Sequence, residues 1–308
     1  MKLILSRKGF DSSAGGVPSP IFPDGSMVSL PIPSRDPVTY SQIRWKDTNL
    51  GEIAAALTGR PLFRRIPAHL DPDLALDARP RLPGWRPAFG QTSAAQTHLA
   101  NQGVGVSDMF LFFGWFRQVE EDGAGGWRCR RGAPDVHVLF GWLQVGELLR
   151  LGPDSAALRA GRPEFAEHPH FNGRWDASNT VYVASERLVI DGQDMGVPGG
   201  GTFPRFHTGL QLTKHGENRG TWSLPGWFLP AGGPVLSYHT DPARWARDGD
   251  RCMVRTVGRG QEFVMDVTST REAADWFETL IQVGRQAPPS GTTQSQRLPA
   301  ISADNGLY

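Results

Sequence analysis

Hydrophobic positions in this chain fall in short dense runs separated by glycine, proline and polar stretches, a pattern that favours buried strands over amphipathic helices. Two runs near the middle are nearly the same: Leu-Phe-Phe-Gly-Trp-Phe from Leu111 and Val-Leu-Phe-Gly-Trp-Leu from Val138. Each is apolar almost throughout and bounded by turn chemistry, which predicts strands buried on both faces. Between them, Asp122 to Gly126 supplies glycines for a turn and Trp127 to Arg131 can return as an outer strand, so a three-strand meander is expected.

Elsewhere the pattern predicts strands at Lys2–Leu5, Ser26–Ile32, Asn179–Ala184, Arg205–Thr213, Thr221–Leu224 and Gln261–Asp266. Gly199 to Gly201 marks a mobile loop before the fourth of these. Helical spacing follows the candidate cap Asn49 through Leu57, and Ser93-Ala-Ala is a good helix start. The clearest helix is Thr270 to Val283, where Trp276, Phe277, Leu280 and Ile281 share one stripe. From Gln286 onward the composition is that of a disordered tail. The expected fold is therefore α+β: one domain over 1–285 built on a mostly antiparallel, partly closed sheet with long ordered loops and a C-terminal helix, then a tail over 286–308.

Composition narrows the function. The 308 residues carry 32 basic and 31 acidic side chains, a net charge of +1, so no general field attracts a polyanion or a membrane surface. Nucleic-acid contact would have to be local. Two cysteines make no disulfide framework, and no apolar run approaches the roughly 20 residues of a membrane span, which fits a cytoplasmic protein.

Chemistry-bearing residues gather at four places. After the first strand, Ser6-Arg-Lys-Gly-Phe-Asp-Ser-Ser13 packs Ser6, Arg7, Lys8, Asp11, Ser12 and Ser13 into one glycine-rich loop, where backbone N–H groups could cradle an anion. In His69-Leu-Asp-Pro-Asp73, Asp71 and Asp73 are close enough to push each other's pKa apart, or to bind a metal or a sugar hydroxyl pair; a turn cap at Asp71 is the alternative. His168 and His170 flank Pro169 on an extended chain and are weak metal candidates that lack a local third ligand. Finally, Gly114 and Gly141 leave gaps beside Trp115 and Trp142, either at bulges in a packed core or as a slot for a planar ligand such as a nucleobase.

Taken together, LSRKGFDSSAGGVPSP from Leu5, HLDPDL from His69, AFGQ from Ala88, AAQ with HL from Ala94, FLFFGWFR from Phe110, HVLFGWLQVGE from His137, HPH from His168, NTVYVA from Asn179 and GQEFV from Gly260 resemble the third of the nucleotide-modification-associated domain families. Those bacterial and phage proteins are proposed to act in hypermodification of nucleic-acid bases. The central strands also resemble, more loosely, those of PUA, ASCH and EVE barrels, several of which hold a base in an aromatic pocket. The resemblance implies a nucleic-acid or nucleotide substrate and a base-modifying enzyme working by group transfer or glycosidic-bond chemistry. The alternative it leaves is a PUA-like reader that binds a modified nucleotide without turning it over. The candidate catalytic groups are then Arg7, Lys8, Asp11, Ser13, Asp71, Asp73, Gln96, His168 and His170. Substrate contacts would come from Ser6, Ser12, Gln91, Trp115, Arg117, Trp142, Gln144 and Asn179. The sequence names neither donor nor cofactor.

Overall fold

A computed structural model of the chain describes residues 1–153, 156–230, 235–258 and 260–285. The tail expected over 286–308 lies outside the described residues. Twelve strands organise the site: β1 (Lys2–Arg7), β2 (Ser19–Ile21), β3 (Ala88–Gln91), β4 (Met109–Glu121), β5 (Trp127–Cys129), β6 (Val136–Arg150), β7 (Thr180–Ala184), β8 (Gly200–Thr202), β9 (Thr221–Pro225), β10 (Trp245–Asp248), β11 (Arg251–Arg255) and β12 (Glu262–Asp266). The helices are α1 (Leu50–Thr58), α2 (Ser93–Asn101), α3 (Ala156–Gly161) and α4 (Arg271–Arg285).

The main sheet runs β12-β1-β4-β6-β7-β3, with β2 and β5 on β4 and β8 on β6. The two long apolar runs are its centre, and both are buried along most of their length. The sheet is mixed: β4 pairs antiparallel with β6, but β1 and β2 pair parallel with it. The end strands β3 and β12 do not pair, so this is an open sheet and not the partly closed PUA-like barrel expected. They nevertheless curl together far enough for Gln91 Nε2 of β3 to donate to Glu262 Oε1 of β12 at 2.7 Å. Strands β9, β11 and β10 form a separate three-stranded sheet.

Packing explains where sequence patterns and structure part. The meander does form, with β5 returning along the far end of β4. The run Ser26–Ile32 is mostly irregular: Ser26 and Met27 make only isolated bridges, Pro31 lacks a ladder donor, and a two-residue strand forms only at Ile32–Pro33. Arg205–Thr213 contains a 3₁₀ turn at Thr208–Leu210, whose first N–H groups are capped by His207 Nδ1 accepting from Gly209. The glycines at 200 and 201 are no mobile loop; they are strand β8, and a Cβ on Gly201 would stand 2.8 Å from the Trp142 ring.

The glycines inside the central strands answer to the same close packing. A Cβ on Gly114 would come within 2.8 Å of the Lys8 carbonyl oxygen, and one on Gly141 within 2.4 Å of a Leu74 methyl and 2.8 Å of the Gly201 carbonyl. Trp142 itself is sealed. Its ring packs on Phe203 at 5.0 Å and its Nε1 donates to the Pro198 carbonyl, so no slot opens between Trp115 and Trp142. Its neighbours include Phe277, Leu280 and Ile281 of α4, the stripe that buries this helix against the main core. Among the described residues no helix is long and apolar enough to cross a membrane.

Candidate active site

The end of β1 and the loop after it open onto a cavity of about 760 Å³. It is lined by Arg7, Lys8, Asp11, Ser12 and Ser13 from that segment and by His69, Asp71, Gln91 and His170 from elsewhere in the chain, Lys8 and Gln91 meeting on Glu262 Oε1. Strand register supplies an aromatic side, since Trp115 of β4 is directly opposite His137 of β6 and both line the space, joined by Trp175 and Arg219. Distant loops thus meet because parallel pairing of β1 with β4 ends at Arg7 and Phe113, two residues short of Trp115.

The loop is shaped by its own carboxylate. Asp11 Oδ1 accepts from the N–H groups of Ser13 and Ala14 and from Ser13 Oγ. Burial alone would raise the Asp11 pKa, but these bonds, with Arg7 nearby, hold it below the usual value. Ser13 is therefore tied to a turn. Arg7 donates to the Gly260 carbonyl, which fixes its guanidinium at the rim of the cavity. Arg219 stacks over the Trp115 ring at 4.2 Å. Lys8 is committed elsewhere: its Nζ lies 2.7 Å from Glu262 Oε1, a carboxylate 1 % exposed, and 4.6 Å over the Phe89 ring.

A histidine–carboxylate cluster also lines the cavity. Asp71 Oδ2 is 3.9 Å from His69 Nε2 and 3.7 Å from His170 Nε2, and one ligand atom from each of the three residues lies within 4.8 Å of the others. Each imidazole is gripped from behind. His69 Nδ1 is 2.7 Å from Asp36 Oδ2, and His170 Nδ1 is 2.7 Å from Asn179 Oδ1, whose amide nitrogen donates to the Gly152 and His170 carbonyls. Asp71 Oδ1 accepts from the Gly90 N–H at 2.8 Å and lies 3.4 Å from His168 Nε2. Because His168 Nδ1 accepts from the His170 N–H, its Nε2 carries the proton that faces Asp71. The cluster could hold a metal ion.

Local folding places these groups. The chain expected to be extended here is a 3₁₀ turn, Pro169–Phe171, with His168 as its cap and His170 at its middle, anchored by Phe165 and Phe171 against Val181 and Val183 of β7. Each such phenylalanine contributes about 1.5–3 kcal/mol by burial. Trp175 stacks on the His170 ring at 4.3 Å with the two planes nearly parallel.

The electrostatics follow from burial and partners. Burial raises the Asp71 pKa, yet His168, His170 and His69 together hold it down to about 2. Burial is the largest influence on His69 and lowers its pKa, but the hydrogen bond to Asp36 and the charges of Asp71 and Asp36 together outweigh it and the net shift is upward. His170, for which burial dominates, falls to about 4. His137 falls to about 3, through burial first and then Arg219 and Arg7.

Of the residues singled out from sequence, Arg7, Lys8, Asp11, Ser12, Ser13, Asp71, Gln91, Trp115 and His170 line the cavity. His168 and Asn179 sit immediately behind it. The rest lie elsewhere. Asp73 forms a two-pronged ion pair with Arg81, whose guanidinium stacks on Trp85. Gln96 accepts from the Tyr182 hydroxyl in the core. Gln144 braces the chain at Val189 and Ser185, Arg117 pairs with Asp135, and Ser6 is buried inside β1. Asp36, Trp175 and Arg219 stand in no motif of the sequence, and Gly90 and His137, although inside the AFGQ and HVLFGWLQVGE strings, are not among the residues given a role there. Sequence reasoning noted His69 without giving it a role, although His-x-Asp on an extended chain puts two donors on one side.

A family model described as nucleotide modification associated domain 3 matches residues 2–266 of the 308. No match was found among curated proteins or among solved structures.

Proposed function

Because the chain belongs to the nucleotide modification associated domain 3 family, we propose that it is a nucleotide-modifying enzyme whose substrate enters the cavity at the end of β1. The base lies against Trp115, the phosphate is met by Arg7 and Arg219, and the reaction takes place beside His69, Asp71 and His170. Group transfer to the base and cleavage of its glycosidic bond both fit such a set. If the base comes from a duplex, leaving the stack costs a few kcal/mol, which stacking on an indole offsets.

One observation carries the reading: an aromatic wall, two guanidiniums and a buried imidazole–carboxylate cluster share a single cavity. A reader needs the first two and has no use for the third. The test is mass analysis of nucleosides from DNA and RNA of cells making the wild type or Asp71→Asn. An altered nucleoside in wild-type cells that is absent with the variant is expected. Unaltered nucleosides, together with tight binding of a nucleotide, would make the protein a reader.

A further inference from the structure

We propose that His69 Nε2, Asp71 Oδ2 and His170 Nε2 bind one divalent first-row transition-metal ion, with its remaining coordination positions open to the cavity. The inference rests on side-chain geometry alone and stands whether or not the substrate is a nucleotide.

Hydrogen-bond partners on the far side fix which ring nitrogen carries hydrogen. Asp36 is a carboxylate and accepts only, so the 2.7 Å contact requires His69 to carry its hydrogen on Nδ1. Asn179 uses its amide nitrogen on two carbonyls, which turns its oxygen toward His170 and requires the hydrogen on that Nδ1 as well. Both Nε2 lone pairs consequently point inward, at a carboxylate oxygen. With both rings neutral, three acceptors face one another; a proton can relieve that repulsion at one imidazole, whereas a metal ion joins all three.

The surroundings are those of a ligand set and not of an ion-pair network. Each imidazole has a partner on its far nitrogen, the arrangement that orients metal-binding histidines and raises their basicity. Asp71 is held through Oδ1 by Gly90 and faced there by His168, which leaves Oδ2 for the ion. Gly90 has no side chain because a Cβ there would stand 2.2 Å from the His170 ring. Ligands bonded at roughly 2.0–2.2 Å sit about 3–3.5 Å apart. The observed 3.7 and 3.9 Å, with the His69–His170 separation no more than 4.8 Å, close to that range by side-chain shifts of about 1 Å or less.

Donor type sets the class of metal. Two imidazoles and one carboxylate suit zinc, iron(II), manganese(II) or cobalt(II), whereas magnesium and calcium prefer oxygen throughout. Three protein ligands leave positions that water or substrate can fill, and all three residues line the cavity. A bound ion would acidify such a water or polarise a substrate oxygen beside Trp115.

The test uses the full chain without a histidine tag, stripped with chelator and titrated with cobalt(II) by calorimetry and visible absorption. One equivalent per chain is expected, with ligand-field bands and displacement by zinc. His69→Ala, Asp71→Asn and His170→Ala should each weaken binding at least tenfold, while His98→Gln, outside the cavity, should not. Circular dichroism establishes that each variant is folded; Asn179→Ala, which loosens His170 without removing a ligand, should weaken binding by about 10–100-fold. Wild-type protein that takes up no stoichiometric ion, or folded ligand variants that bind as tightly as wild type, would overturn the proposal.

Discussion

A methyl group at Gly90 would stand 2.2 Å from Cδ2 of His170, so the missing side chain of one residue sets the position of the other. The same Gly90 donates its N–H to Asp71. Gly90→Ala must therefore push the 168–171 turn outward, and overpacking of this kind costs about 1–3 kcal/mol. Denaturant unfolding should register that loss, and metal affinity should fall by about 10–100-fold because His170 leaves its place. Unchanged stability would mean that the turn accommodates the methyl and that the contact is loose.

Lys8 is expected to act on stability before it acts on substrate. Its pair with Glu262 is nearly buried, the two side chains being 10 % and 1 % exposed. Lys8→Ala leaves that carboxylate with Gln91 alone, a loss of about 3–5 kcal/mol for an orphaned buried charge. Lys8→Met with Glu262→Leu should recover most of it. A single variant that unfolds at the wild-type denaturant concentration would show the pair to be solvated.

His137 should make stability depend on acid. Its folded pKa is about 3, whereas the unfolded chain titrates near 6.5. The group is lowered on folding, so its contribution is complete above about pH 6.5 and is lost as pH falls toward 3, where only the unfolded chain takes up the proton. His137→Gln, which can still accept from Trp222 Nε1, should flatten the decline of unfolding free energy between pH 6 and 4. An unaltered slope would contradict this.

Two aspartates two residues apart are expected to behave differently. Asp73 is held by Arg81 outside the cavity, and Asp71 faces His69 and His170 within it. Asp73→Asn should lower the unfolding midpoint while leaving nucleoside modification per folded molecule near wild type. Asp71→Asn should remove nucleoside modification even per folded molecule. Equal loss of activity in both would place Asp73 in the reaction.

The fold was legible where burial is two-sided. Runs such as Leu111–Phe116 and Val138–Val145 can only be central strands, and Trp276, Phe277, Leu280 and Ile281 could only face a core. What stayed hidden is long-range pairing. Nothing local in Lys2–Leu5 says that it lies parallel to Met109–Phe113, and that pairing keeps the sheet mixed and open. The site was legible in its loops, because Asp11, Asp71 and His170 stand in polar strings that a core would not tolerate. It was illegible in its supports. Asp36 looks like any surface aspartate until the pairing of Ile32 with His69 brings that chain alongside. Trp142 misled for the opposite reason, since its Phe-Gly-Trp string matches that of Trp115 while its side chain serves the core.

The central claim is that the cavity holds a nucleotide, its base on Trp115 and its phosphate near Arg7 and Arg219. Titration of the purified protein with the common ribo- and deoxyribonucleoside monophosphates, and with a short single strand of DNA, tests it most directly. Stacking on an indole is worth about 1–3 kcal/mol per base, so Trp115→Ala should weaken the tightest of these ligands by roughly 5–150-fold. Arg7→Ala should weaken it further and reduce its salt dependence. Affinity that is the same in wild type, Trp115→Ala and Arg7→Ala would contradict the account.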